Sequence, residues 1–316
     1  KNESAENTST TPYAGVVSVL GVDNIHRIVD IVESTLQGNS VSFLHNSIRH
    51  RPGTELALPK IRKNPFVEII SISTGCLNNC TYCKTKHARG NLRSYPVDEI
   101  VERVVSALDE GVIEIRLTSD DLGAYGIDLG IRVYDLLRAI LDVMRPGTML
   151  RMGMSNPPYF KDILNEMYPI FEHENCYEFL HIPVQAGSDA VLNDMKRDYT
   201  NYEFDTICTE LMKNVPTLTL ATDFICGFPT ETDDEYQKSL QLIEKFKFPV
   251  VFINQYYPRP GTYAYALQQL PAATLKARSK EMVTLFNSYT TRDNRENEEW
   301  DILITDLARD GEYMVG

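Results

Sequence analysis

Cysteine is scarce in this sequence, tryptophan is nearly absent, and long apolar runs do not occur. Six cysteines and one tryptophan are spread over 316 residues. Thiols this sparse exclude a disulfide framework and point to a reducing, intracellular setting, with the cytoplasm as the expected compartment. No stretch approaches the roughly 20 consecutive apolar residues that a membrane-spanning helix needs, and no signal-peptide pattern is present. Positive charge is also in deficit. The formal net charge of −13 argues against a generic nucleic-acid binder. The deficit is uneven, however. Between Lys60 and Arg93 seven basic residues (Lys60, Arg62, Lys63, Lys84, Lys86, Arg89, Arg93) face one acid, Glu68, whereas residues 292–316 hold eight acids and three bases. The 43% hydrophobic content suffices for the core of one large α/β domain with smaller pieces attached.

Against that scarcity, three cysteines crowd into eight residues. Cys76, Cys80 and Cys83 are spaced C-x3-C-x2-C. A chain looping this tightly can wrap one soft metal centre and leave a further coordination position open. Two centres fit. Zinc would complete a Cys3His set with His87, which follows Cys83 at C-x3-H spacing. A cubane 4Fe–4S cluster would leave one iron free for a substrate or cofactor. The loop directly follows Val67–Thr74, an apolar, β-branched run that reads as a strand. The metal site is thus expected at a C-terminal strand end, where α/β barrels keep their active sites. Cys176, Cys208 and Cys226 are isolated and read as buried thiols.

Along the chain, residues 1–12 are polar and read as a disordered leader. Residues 16–20 suggest a short strand, and residues 24–36 show helical periodicity stopped by Gly38. Residues 39–65 read as a linker. Strands are then expected near Val67, Ile113, Met149, Tyr177, Leu218 and Val250. Helices are expected at 97–110, 131–144, 159–168, 202–214, 233–246 and 275–286, with one further strand at 301–305. Six strand–helix units in a row predict parallel strands joined by crossovers, as in a partial (β/α)6 TIM-like barrel; a full barrel lacking two units or an open sheet fits the same count. The predicted division is 1–58, 59–290 for the barrel, and 291–316.

Further motifs narrow the chemistry. Tyr82 stands before the third cysteine. Cys83-Lys84-Thr85-Lys86-His87-Ala88-Arg89-Gly90, Leu117-Thr118-Ser119-Asp120-Asp121 with Ala124-Tyr125-Gly126, and His181-Ile182-Pro183-Val184-Gln185 follow in order. With the cysteine spacing, these resemble the radical S-adenosylmethionine (SAM) methylthiotransferases that modify tRNA, in particular the archaeal and eukaryotic type acting on N6-threonylcarbamoyladenosine. The resemblance runs from about Tyr13 to the C-terminus. It implies a 4Fe–4S cluster on Cys76, Cys80 and Cys83, SAM chelated by the free iron, and an electron donor. It implies that 2-methylthio is placed on adenosine 37 in an anticodon stem-loop. An isopentenyladenosine or ribosomal-protein methylthiotransferase, or a zinc-stabilised RNA-binding module, is the alternative.

Roles follow, for Asp120 from its place in the family and for the rest from their chemistry at strand ends. Asp120 is placed near the amino acid part of SAM. Ser155 and Asn156 are placed at its ribose or amino acid part, with Gln185 beyond the fourth strand. Arg197 is a natural carboxylate partner. Gly227 would let backbone approach the adenine, and Tyr82 would cover it. Lys84, Lys86, Arg89 and Arg93 would neutralise tRNA phosphates, with Arg259 on a rim loop, residues 258–262. His181 reads as a satisfied core histidine. The family adds three N-terminal cysteines for an auxiliary 4Fe–4S cluster and a small C-terminal β-barrel, the TRAM domain. No cysteine precedes Cys76 here, and residues 291–316 offer one strand. The expectation is therefore a chain with only remnants of those two modules, one that cleaves SAM without completing methylthiolation.

Overall fold

A computed structural model describes residues 17–44, 55–57, 60–291, 298–299, 302, 304 and 306–315. The chain divides into two compact units, Lys1–Pro59 and Lys60–Gly316.

In the first unit, β1 (Val19–Leu20) and β2 (Ser42–Phe43) pair in parallel. Between them lie a 3-10 turn, Val22–Arg27, and α1 (Ile28–Leu36). The periodicity over 24–36 thus resolves into a tight turn followed by a shorter α-helix. Gly38, with φ +86°, ends it, and its N–H closes on the Thr35 carbonyl. β2 falls within the stretch expected to be linker.

The second unit is built from repeated strand–helix pairs. Its principal strands are β3 (Val67–Ser71), β6 (Glu114–Thr118), β7 (Met149–Arg151), β8 (Phe179–His181), β9 (Thr219–Cys226) and β10 (Val250–Gln255). Between β3 and β6 lie two short strands, β4 (Ser73–Thr74) and β5 (Arg93–Ser94), which pair antiparallel. The principal strands form two parallel three-stranded sheets, β3-β6-β7 and β8-β9-β10. Parallel bridges Leu150 to Cys176 and Met154 to His181 join the two sheets. The result is one curved array of six parallel strands that does not close. Its edge strands leave Ile69 on β3 and Phe252 on β10 about half exposed. The six expected strands are all present, and the partial barrel is the observed architecture.

The helices are α2 (Thr85–Arg89), α3 (Val97–Asp109), α4 (Val133–Leu141), α5 (Leu164–Phe171), α6 (Asp189–Asp194), α7 (Asn201–Asn214), α8 (Asp233–Phe246) and α9 (Ala272–Phe286). α7 and α8 start at capping boxes: Thr200 with Glu203, and Thr232 with Glu235, each exchange side-chain and backbone bonds. Alternate strand residues Ile70, Ile115, Leu117, Leu150, Leu180 and Phe224 are fully buried in the core. Of the expected strand at 301–305, residues 301, 303 and 305 lie outside the described residues, and 302 and 304 are not in a strand. An antiparallel pair, β11 (Asp306–Leu307) and β12 (Met314–Val315), follows instead. Among the described residues no helix is long and apolar enough to cross a membrane.

Candidate metal and cofactor site

The cysteine loop is a hairpin insertion. β4 and β5 hold residues 75–92 between them, with Ser73 opposite Ser94 and Thr74 opposite Arg93. Gly75 turns the chain at φ +77°, and a Cβ there would sit 2.2 Å from the Asn91 carbonyl oxygen, so only glycine fits. Its N–H donates to Asp120 Oδ2 at 2.9 Å. Cys76 N–H then reaches the Gly90 carbonyl. The far side of the loop is pinned to the end of α6: Thr81 donates its N–H to the Met195 carbonyl at 3.0 Å and its hydroxyl to the Asp194 carbonyl at 2.8 Å.

The three thiols differ in environment. Cys76 is buried, Cys80 half-buried and Cys83 exposed. Burial pushes the Cys76 thiol up to about 11, although the Asn78 N–H opposes this. Burial also raises the Cys80 thiol, against the pull of the Arg197 guanidinium, whose Nη1 lies 3.2 Å from the sulfur. Cys83 Sγ accepts the Thr85 N–H at 3.4 Å.

From Arg197 a polar chain runs around the loop. Its Nη2 donates to Asn156 Oδ1. Asn156 donates its Nδ2 to Asp121 Oδ2 at 2.6 Å and its N–H to Asp121 Oδ1 at 3.1 Å. Asp121 also accepts from Asn78 Nδ2 at 3.3 Å, and Tyr159 donates its hydroxyl to Asn78 Oδ1 at 2.7 Å. Burial raises the Asp121 carboxyl, with the Asn156 bonds and Arg197 acting against it. Asp121, Asn78 and Tyr159 belong to this site and were not among the sequence candidates. Two adjacent aspartates look alike in sequence, and only the fold shows that Asp120 braces Gly75 while Asp121 is fully buried.

The other candidates fall as follows. Tyr82 is buried at one end of an aromatic row, edge-on to Phe228, which is edge-on to Tyr256. Gln185 holds φ +68°, uncommon for a side chain of its size, while its carbonyl accepts the Ile225 N–H. Gly227 has φ +78°, and a Cβ there would meet Leu275 Cγ at 2.4 Å, so packing against α9 already demands glycine. Its N–H donates to Glu231, which Arg278 also holds. His181 is satisfied by Asp223 at 2.8 Å and packs on Phe252, yet it is half-buried rather than in the core. Lys84 lies across Gly261, Arg259 donates to the Tyr82 carbonyl at 3.3 Å, and Arg89 is exposed. Arg93 Nη2 reaches the Arg89 carbonyl. Lys86 instead donates to the Leu77 carbonyl at 3.0 Å and so braces the loop.

Comparison with known proteins shows the family of the chain. Residues 70–243 match the model described as the radical SAM superfamily. Over 307 residues the chain is 50% identical to the Caenorhabditis elegans threonylcarbamoyladenosine tRNA methylthiotransferase, covering 96% of this chain and 72% of that protein. The chain belongs to the radical SAM superfamily, in its threonylcarbamoyladenosine tRNA methylthiotransferase family. The Homo sapiens relative of that name is 50% identical over 306 residues, 96% of this chain and 53% of that one. A probable relative from Pyrococcus abyssi is 39% identical, covering 84% and 62%. The chain spans about half the length of the vertebrate relatives it matches. Two solved radical SAM enzymes share the fold at low identity. One is coproporphyrinogen III oxidase from Escherichia coli (TM-score 0.54, 10% identity, 76% of this chain and 53% of that one). The other is a methyltransferase from Kitasatospora setae (0.52, 14%, 63% and 38%).

Radical SAM proteins carry a 4Fe–4S cluster and SAM, and the residues here fit both. Cluster thiolates each bind a different iron, so they need not converge on one point. Among the described residues no three His, Cys, Asp or Glu side chains converge on a single ion, and the Cys3His set with His87 is not assembled. The hydroxyls of Thr74 at the end of β4, Ser119 just after β6 and Ser155 in the segment following β7 are buried without a protein partner. Unpartnered buried hydroxyls need an acceptor or donor from elsewhere, and a ligand with ribose and amino acid groups provides both.

Proposed function

We propose that this chain provides the radical-generating and RNA-facing part of an enzyme that converts N6-threonylcarbamoyladenosine at position 37 of tRNA to its 2-methylthio derivative. One observation carries the reading: a C-x3-C-x2-C loop is fixed at strand ends with a guanidinium on its central thiol and unpartnered hydroxyls beside it. Cys76, Cys80 and Cys83 hold the cluster. When bound, the cluster supplies an electron to the sulfonium of SAM. Thr74, Ser119, Ser155 and Gln185 orient that cofactor, Tyr82 and Phe228 wall it from water, and an external donor supplies the electron. The names of the relatives support the tRNA substrate, and an unpaired anticodon loop presents its adenosine at modest cost. The antiparallel pair β11–β12 supports reading residues 291–316 as the start of a small β-domain.

The test is anaerobic reconstitution. The protein is expected to bind about four irons as one cubane, turn brown, and cleave SAM under a strong reductant. Cys80→Ala loses the colour and the cleavage. Stoichiometric zinc without iron, lost in His87→Ala, would sink the reading. Mass spectrometry of nucleosides from threonylcarbamoylated tRNA then shows whether the methylthio product forms.

A further inference from the structure

The rim segment 257–265 holds three tyrosines that the fold does not use. Tyr256, just before it, is buried against Phe228. Its neighbour Tyr257 is 70% exposed, and Tyr263 and Tyr265 are 67% and 49% exposed on either side of buried Ala264. Large aromatic faces left in water are unfavourable unless something covers them. The nine residues contain one base, Arg259, and no acid, although the chain as a whole carries −13.

The segment is also rigid and fixed in place. Pro258 and Pro260 flank Arg259, and Gly261 turns the chain at φ +78°. The turn closes through the Thr262 N–H and hydroxyl, both on the Arg259 carbonyl, at 3.2 and 2.8 Å. Two bonds tie it to the cysteine loop: Arg259 Nη1 to the Tyr82 carbonyl at 3.3 Å, and Ala264 N–H to the Thr81 carbonyl at 2.9 Å. Lys84 from that loop lies across Gly261.

We infer that Tyr257 and Tyr263 are a stacking platform for splayed bases of a single-stranded RNA loop, with Lys84, Arg89 and Arg259 taking its phosphates. The inference rests on the tRNA reading above and says how the substrate is gripped. Base faces are free to stack only in unpaired RNA, since a duplex hides them. Exposed aromatics beside cations and without acids suit that ligand, whereas an acidic protein surface would use the cations and leave the rings idle. A rigid platform gives up little conformational freedom on binding.

The experiment measures affinity of the chain for an RNA stem-loop and for a fully paired duplex of equal length, by fluorescence anisotropy. Tyr257→Ala and Tyr263→Ala are each expected to weaken stem-loop binding by about 5- to 150-fold, as loss of one base–aromatic stack does. Their Phe counterparts should stay within about twofold, because stacking needs the ring and not the hydroxyl. The salt slope and SAM binding should not change, the latter also showing that the variants are folded. Unaltered stem-loop affinity in both Ala variants overturns the platform and leaves the tRNA reading standing. Phe variants as weak as Ala overturn stacking in favour of hydrogen bonding. Ala variants that change sedimentation but not RNA affinity make the tyrosines a protein interface, which also overturns it. A chain that binds duplex as tightly as stem-loop overturns both the platform and the tRNA reading.

Discussion

At the scale of single residues, the site is governed by how buried polar groups are satisfied. Asp121 accepts two bonds from Asn156 and one from Asn78, and Asn78 lies between Cys76 and Cys80. Asp121→Asn would turn an amide N–H toward donors. An unsatisfied buried group costs about 1–3 kcal/mol. The expected outcome is a lower melting temperature and faster iron loss on desalting, whereas Tyr159→Phe, which removes one peripheral bond, should have a smaller effect on both. The remaining thiols give a second test. Burial pushes Cys176 and Cys226 up to about 12 and raises Cys208 further, so none is a thiolate at neutral pH. Iodoacetamide on the metal-free native protein should label exposed Cys83 first. These three should remain unlabelled until denaturant is added, as read by peptide mass spectrometry. Sequence spacing foresaw this split between clustered and isolated cysteines. It could not foresee Asp121, because neighbouring aspartates carry no sign of which one the strand end turns inward.

At the scale of elements, the six strands and most helices were legible because short β-branched runs alternate with amphipathic stretches, but the helix expected at 159–168 begins only at Leu164 and runs to Phe171, after a 3-10 turn at Pro157–Tyr159. The pieces missed were short. α2, α6 and the β4–β5 pair have two to six residues each, too few for a period to show, and tertiary contacts hold them. Glu68 was misleading in another way. In the middle of a β-branched run it reads as a surface residue, yet it is almost fully buried under Lys60, Arg62 and Arg103 at 2.9, 2.6 and 3.1 Å. These contacts fasten the segment before β3 to the outside of the barrel. Burial alone would raise the Glu68 carboxyl, but the Lys60 and Arg62 hydrogen bonds and the Arg103 charge overcome it and hold the group below its ordinary value of 4.5. Glu68→Gln removes one counter-charge from buried Arg103 but leaves Glu110 at 3.4 Å, so the cost should lie below the roughly 3–5 kcal/mol of a buried charge left wholly unpaired. The sign of the pH effect follows from the lowered value. The stabilisation is complete above pH 4.5 and disappears as pH falls through the folded-state value. Melting curves of the native protein and the Glu68→Gln variant should therefore differ most at neutral pH and converge in acid.

At the scale of the whole molecule, the proposed tRNA substrate is a polyanion while the chain carries a net charge of −13. The overall field opposes approach, so affinity has to come from the basic rim near the cysteine loop. Such binding releases counterions and weakens steeply with salt. The four-base reading of the sequence, Lys84, Lys86, Arg89 and Arg93, changes once side chains are placed. Lys86 donates its ammonium to the Leu77 carbonyl, while Arg259, already expected on the rim, is tied to the loop through the Tyr82 carbonyl. Replacing Lys84, Arg89 or Arg259 with Ala should flatten the plot of log affinity against log salt by about one unit for each phosphate left unneutralised. Lys86→Ala should leave that slope almost unchanged and instead weaken iron retention, because its bond braces the loop that carries the thiols. Anisotropy titrations of tRNA across a salt series, paired with iron assays, separate the two roles. A slope that falls with Lys86 and not with Arg259 would place the phosphates on the other side of the loop, away from the turn at 258–262.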